Sequence, residues 1–396
     1  MIDYKEALKI VNDCSQTLND TEKVRLPDAV NRITAEDLIT DIDMPQFDRS
    51  SMDGFAVTDD SYKNYIIKGV ISAGDNTDYA ITGNETYAIM TGARIPAGTG
   101  KIVIRENARC DKDLMEIVSL SNKINISFKG EDSKAGSVVL KAGVRITPFE
   151  SGIIAAAGRT DIDVRRKIRT VLAVTGDEIT DIDGRISMIR DINSDSLKAA
   201  VSYSGIADVV GYWKVSDDFI KIKGIISDFL KTNNDVLIIT GGSSIGDFDY
   251  TQAALEECGV NIRFSAVRIK PGKPTIFGTA KGKYFFGLPG NPVSALFTFS
   301  LFCKPCFNIL AGYNQEPIWF MGSSDREYSI SSGTADRVRF LPVEIKNSID
   351  GIVFRMVHNN GSGHILSLAG INYFVELPIG INRINTGERF VIRQVW

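Results

Sequence analysis

The residues best suited to chemistry sit in three loops and one turn. The loops read Thr175-Gly176-Asp177-Glu178, Thr240-Gly241-Gly242-Ser243-Ser244-Ile245-Gly246-Asp247-Phe248-Asp249 and Pro289-Gly290-Asn291-Pro292, and the turn reads Lys270-Pro271-Gly272-Lys273-Pro274. Glycines let a backbone approach a ligand, and the N–H groups of such loops and of the helices after them can cradle phosphate. Two prolines stiffen the turn and keep its two ammonium groups close. An anion between them offsets their repulsion: at ~4 Å and an effective dielectric near 20, a unit charge pair is worth about 4 kcal/mol. Asp177, Glu178, Asp247 and Asp249 make an oxygen-only set of the kind that favours Mg²⁺ shared with phosphate oxygens and water. The bland alternatives are that glycine loops simply end strands, and that Asp249 caps a helix over Tyr250–Cys258.

Type and spacing exclude other chemistries. Gly100-Lys101, Gly272-Lys273 and Gly282-Lys283 lack the upstream glycine and following hydroxyl of a Walker A loop, and Gly241 to Gly246 does not match the dinucleotide fingerprint. With only His358 and His364, neither a Ser-His-Asp triad nor a histidine zinc site is expected. Cys303-Lys-Pro-Cys306 has CxxC spacing but follows the helical pattern of Val293–Phe302, so it reads as a structural helix end. Five cysteines in 396 residues are too sparse for a disulfide framework. The first nine residues carry Asp3, Lys5, Glu6 and Lys9 instead of an apolar run, and the uncharged stretch Val293–Cys303 is shorter than the ~20 residues of a membrane span. The expectation is a cytoplasmic protein with no membrane contact. A net charge of −4 argues against a nucleic-acid coat, so any polyanion must be held by a few local cations.

The elements that must position these residues change texture along the chain. Residues 3–19 read as an amphipathic helix and Pro27–Asp37 as a second. From about 45 to 147, short β-type runs alternate with glycine and Asp/Asn clusters, and helical patterning returns at Pro148–Ala157. Thr170–Thr175, Asp235–Thr240 and Lys283–Leu288 are continuous apolar strands that each run into a chemistry-bearing loop, so residues 166–312 read as a doubly wound α/β domain. Runs at Arg337–Val343, Ile352–Val357, Tyr373–Leu377 and Arg389–Trp396 fit a small β-barrel. The expected architecture is a helical N-terminal domain (1–44 plus 136–165), an inserted all-β domain (45–135), the α/β domain (166–312) and a C-terminal β-barrel (313–396). Ligands of an open α/β sheet bind beyond the carboxyl ends of its strands.

The β module opens with Pro45-Gln46-Phe47-Asp48-Arg49-Ser50-Ser51-Met52-Asp53-Gly54-Phe55-Ala56-Val57, which resembles the signature of the MoeA family, the molybdopterin molybdenumtransferases that include the E domain of gephyrin. Thr91-Gly92-Ala93 with Pro96, Gly98 and Glu106 resembles the family's second motif, and Gly130-Glu131-Asp132 its third. Asp191-Ile192-Asn193-Ser194, the three loops, the lysine turn and Ser362-Gly363 to Leu368-Ala369 follow in family order.

The resemblance implies four domains per subunit and a homodimer that inserts molybdate, or tungstate, into adenylylated molybdopterin with Mg²⁺ and releases AMP. It places the cleft between subunits, so that Asp53 and Thr91 of one face Asp177, Asp191, Asp249, Lys270 and Lys273 of the other. Carried over by motif, Lys270 and Lys273 bind oxyanion, Asp177 and Asp249 serve metal or water, and Asp53 completes the site in trans. Asp177, Asp191 and Asp249 are the metal set. Thr91, Thr175, Gly176, Glu178, Asn193, Ser194, Gly241, Gly242, Ser243, Gly246, Pro289, Gly290, Asn291 and Pro292 contact the pterin substrate. Three departures stand out. Thr99-Gly100-Lys101-Ile102 replaces the family's Ala-Asp-Ala-Val; Ser127 replaces an arginine, so that cation is absent or supplied by Lys129; Ser243 replaces a valine. Rival functions are a molybdopterin adenylyltransferase, which such a protein would otherwise meet as a partner, and a non-catalytic dimeric scaffold.

Overall fold

The computed structural model describes residues 1–176, 179–180, 189–241, 247–313, 318–330, 336–349, 351–359 and 361–396, with backbone alone at 179, 180, 189 and 247–249. The chain forms two compact units, Met1–Glu36 with Ala142–Ser151 and Asp161–Trp396, and Asp37–Lys141 with Gly152–Thr160.

The larger unit starts with α1 (Tyr4–Cys14), whose N-cap Asp3 accepts the Lys5 N–H. Tyr4, Ala7 and Val11 recur at helical spacing and are buried. The helix ends earlier than the expected residue 19 because Ser15 turns extended and its hydroxyl donates to Val11 O. After β1 (Thr21–Arg25), the helix expected over Pro27–Asp37 shrinks to a 3-10 turn at Leu26–Asp28. Asn31 takes a φ of 66°, and the N–H groups of Asn31, Thr34 and Ala35 donate to Ile146, Val144 and Asp163 carbonyls. Long-range backbone pairing overrides the local helical pattern there.

In the smaller unit, β2 (Gly54–Val57), β3 (Asn64–Ile71), β4 (Glu85–Ile89), β5 (Lys101–Ile104), β6 (Ala108–Asp111) and β7 (Leu114–Ile117) make one mixed sheet in the order β5-β2-β4-β3-β7-β6. Side chains alternate between its faces: Ala56, Ile89 and Ile102 enter one core, Phe55, Val57 and Val103 the other.

The chain then passes through α2 (Pro148–Ala156) to β8 (Asp161–Arg165), which pairs antiparallel with β1. The α/β part contains β9 (Ile168–Thr175), α3 (Ile192–Tyr203), β10 (Ala207–Val215), α4 (Phe219–Lys231), β11 (Val236–Gly241), α5 (Asp247–Glu257), β12 (Asn261–Phe264), β13 (Ile269–Lys270), β14 (Ile276–Ala280) and β15 (Lys283–Pro289). Its sheet order is β10-β9-β11-β15-β14-β12; the first four strands are parallel, and β14 alone runs against them, pairing antiparallel with both β15 and β12. Ile168, Leu172, Val236 and Ile238 pack toward α3, while Val171, Ala173, Leu237 and Ile239 pack toward α4 and α5. Burial on both faces is why these strands read as unbroken apolar runs.

At the amino edge of the same strands, Asp235 is 7% exposed and bonds Arg166 in bidentate fashion at 2.7 and 2.9 Å. It also accepts the Arg169 N–H at 2.8 Å.

Next come α6 (Pro292–Thr298), a π-helical stretch at Phe299–Cys303, and α7 (Lys304–Leu310), forming one 19-residue helix. Its length and composition would suit a membrane span, contrary to the shorter stretch read from sequence, but 67% of the apolar window is buried inside the protein. It runs through the expected stop because the wide π turn accommodates Pro305, which lacks an N–H, and Lys304 donates to Val395 O at 3.2 Å. Cys303 and Cys306 are fully buried within it. Burial pushes the Cys306 thiol up to about 12, which fits the structural reading of the pair.

Finally, β16 (Trp319–Ser324), β17 (Val338–Ser348), β18 (Gly351–Met356), β19 (Tyr373–Leu377) and β20 (Arg389–Gln394) close a five-stranded barrel in the cyclic order β17-β18-β16-β20-β19. β13 adds to β17 in parallel, with Lys270 opposite Arg339.

Candidate functional site

Strand register brings the loop origins together. The last residues of β9, β11 and β15 lie side by side, Thr175 opposite Gly241 and Gly241 opposite Pro289. This is the carboxyl edge at which open α/β sheets bind ligands. No side chain fits at Gly241, where a Cβ would stand 1.9 Å from Thr175 Oγ1 and 2.5 Å from the Thr175 carbonyl oxygen.

The start of α3 meets this edge. Asp191 is its N-cap: one carboxylate oxygen accepts the Ser194 N–H at 2.9 Å and the other the Tyr212 hydroxyl at 2.8 Å. Asn193 and Ser194 are buried. The Asn193 amide donates to Gly290 O at 2.6 Å and Thr240 Oγ1 at 3.2 Å, and the Thr240 hydroxyl donates to Pro289 O at 3.0 Å. These bonds tie α3, β11 and the β15–α6 loop. Asn291 is the N-cap of α6 and Pro292 opens it, where a missing N–H costs nothing.

The lysine turn reaches the same edge from the other side. Ile276 of β14 lies opposite Gly287 of β15, so the preceding residues 270–275 emerge near Pro289. A Cβ on Gly272 would come within 2.3 Å of Thr298 Cγ2, so the turn's backbone packs directly on α6. Thr275 donates to Gly272 O at 2.7 Å, and Lys273 O accepts the Val267 and Thr275 N–H groups. Lys270 and Lys273 are exposed, and no carboxylate among the described residues pairs with either ammonium.

Asp177, Glu178, Gly242, Ser243 and Gly246 lie outside the described residues. Of Asp249 only the backbone is described. Since α5 begins at Asp247, Asp249 falls inside the first turn and is not the cap the sequence offered as its alternative role. Among the described residues no three His, Cys, Asp or Glu side chains gather as a metal site. Asp191 spends one lone pair on each oxygen and keeps another, so it suits a metal as one oriented carboxylate ligand.

In the smaller unit, Asp53 and Thr91 are brought together on the surface. Asp53 accepts the Thr91 N–H at 2.7 Å and its hydroxyl at 2.8 Å. These bonds, the backbone one first, hold the Asp53 carboxyl below its ordinary 3.8. The bonds favour the folded state above the ordinary carboxylate range, and that contribution is lost as pH falls through the lowered folded value. Thr91→Val keeps the N–H and removes the hydroxyl, so the Asp53 carboxyl followed by NMR should titrate closer to 3.8; an unmoved titration would show that the hydroxyl contributes nothing. Nearby, Ser127 donates to Glu131, which also accepts the Phe128 N–H at 2.9 Å, and Lys129 pairs with Asp43 at 3.4 Å. Ser127 therefore fixes an acid where an arginine would have offered a cation.

Sequence reasoning missed Tyr212, which carries no motif signal; Thr240 was named only as the first residue of its loop, and its bond to Pro289 O was not foreseen.

Comparison with known proteins covers nearly the whole chain. Residues 2–158 match the family model described as MoeA N-terminal region (domain I and II), and residues 172–308 that of a probable molybdopterin binding domain. The molybdopterin molybdenumtransferase of Staphylococcus epidermidis RP62A is 33% identical over 399 residues, covering 98% of this chain and 94% of the relative. Its counterpart in Haemophilus influenzae is 31% identical, with coverage of 94% and 93%. The crystal structure of the molybdopterin biosynthesis moeA protein from Pyrococcus horikoshii OT3 superimposes with a TM-score of 0.82 at 27% identity, covering both chains completely. With three strand ends in register at one sheet edge and 98% of its length matched by a relative, the chain belongs to the MoeA family of molybdopterin molybdenumtransferases.

Proposed function

We propose that the protein acts in molybdenum cofactor biosynthesis as a molybdopterin molybdenumtransferase, inserting molybdate or tungstate into adenylylated molybdopterin with release of AMP. The observation that carries this reading is the match through both the N-terminal region and the binding domain at 98% coverage, since an adenylyltransferase resembles the α/β domain alone. A tetrahedral dianion must approach an already phosphorylated substrate, and Lys270 and Lys273 offset that repulsion. Asp191, with Asp177 and Asp249, would hold Mg²⁺, which when bound polarises the phosphoanhydride whose cleavage frees AMP. Asp53, oriented by Thr91, completes the cleft from the second subunit of a homodimer. All five cysteines are free thiols, which supports a cytoplasmic setting.

The test is a single-turnover incubation with adenylylated molybdopterin, Mg²⁺ and either molybdate or tungstate. AMP should appear with at least one oxyanion and fail to appear without any. Consumption of ATP with formation of diphosphate would instead identify an adenylyltransferase, and neither activity a scaffold.

A further inference from the structure

We infer that Tyr212 is a positioning residue, its hydroxyl holding the Asp191 carboxylate in the orientation that receives a divalent cation. This rests on the function proposed above and concerns how tightly that cation is held. Simple alternation along β10 would not send Tyr212 toward α3. Ala207 and Val209, opposite Ile168 and Thr170, pack on the α3 side, and Gly211 and Trp213 would follow them there. The pairing instead shifts by one residue between Thr170 and Val171, which sets Val171 opposite Gly211 and Leu172 opposite Tyr212. Past this bulge Tyr212 joins Leu172 on the α3 side, while Trp213 joins Ala173 on the side of α4 and α5. Bulges re-aim side chains in this way beside functional sites.

The re-aimed ring meets α3 at two places. Its hydroxyl donates to Asp191 Oδ2 at 2.8 Å, and the Lys198 ammonium, about two turns along the helix, stands 4.3 Å from the ring centroid. The other carboxylate oxygen, Oδ1, accepts the Ser194 N–H at 2.9 Å. An aspartate carboxyl turns readily about its last side-chain bond, so a single donor would leave the second oxygen free to swing. Donors on both oxygens fix its plane. The Ser194 bond is the ordinary cap of a helix that opens with aspartate, and the Tyr212 bond is not part of that cap. Groups that orient a carboxylate from behind in this way set how well it holds a metal.

The experiment measures binding of Mn²⁺ alone to the full-length protein, with the free ion followed by its EPR signal. Tyr212→Phe keeps the ring and its contact with Lys198 and removes only the hydroxyl. It should raise the Mn²⁺ dissociation constant about tenfold, the lower end of what losing a group behind a metal ligand costs. Asp191→Asn, which still caps α3, should weaken binding at least as much. Adding Tyr212→Phe to Asp191→Asn should change the affinity no further, because the tyrosine acts through that carboxylate. A bond that merely stabilises α3 would lower the thermal unfolding midpoint of Tyr212→Phe and leave the Mn²⁺ affinity where it was. That result, or an equal loss of affinity with and without Asp191, overturns the inference and leaves the proposed function intact. Wild-type protein that binds no Mn²⁺, or binds it no better than Asp191→Asn does, removes Asp191 from the metal set and overturns the inference together with that part of the reading. The AMP-release assay on wild-type protein decides the reaction itself.

Discussion

Lys273→Ala is expected to lower oxyanion-dependent AMP release by about 100-fold, the loss typical of removing one group that stabilises developing charge. The ammonium is exposed and no described carboxylate holds it, so its removal leaves folding untouched and the thermal unfolding midpoint unchanged. The turn's shape persists because it depends on backbone bonds to Lys273 O and on Gly272 packed against Thr298. Lys270→Ala should show a similar loss, and, if the pair acts on one anion as proposed, the double variant less than the product of the two. Release unchanged in Lys273→Ala would remove the residue from the mechanism.

Asp235→Ala destabilises the protein by about 3–5 kcal/mol, the range for breaking a buried ion pair from one side. Its cause is the Arg166 guanidinium left without its bidentate partner, together with the Arg169 N–H left without an acceptor. Asp20 also reaches Arg166, at 2.7 Å, but is itself exposed, so its compensation is small and the lower end of the range is expected. Denaturant unfolding measures the loss. Replacing both partners, Asp235→Leu with Arg166→Met, should recover most of it because no charge remains buried. A loss under about 1 kcal/mol for Asp235→Ala would mean that the pair behaves as an exposed one.

The legible parts of this fold are those that local pattern determines. β9, β11 and β15 were readable because both faces are buried. Residues 27–37 misled because their apolar spacing is helical while their N–H groups pair with residues over 100 positions away. Lys304 and Pro305 looked like a helix stop, yet a π turn and a carbonyl partner let the helix continue. Within the site, charged residues announced themselves. The bonds of Thr240 and Tyr212 were not legible, since a neutral side chain acquires a role only once register places an acceptor beside it.

The bare Cα of Gly241 has an evolutionary corollary. Any side chain there would wedge two central strands apart, so this position on the sheet's carboxyl edge is closed to variation. A descendant of this chain that diverges in what it accepts must change at other positions.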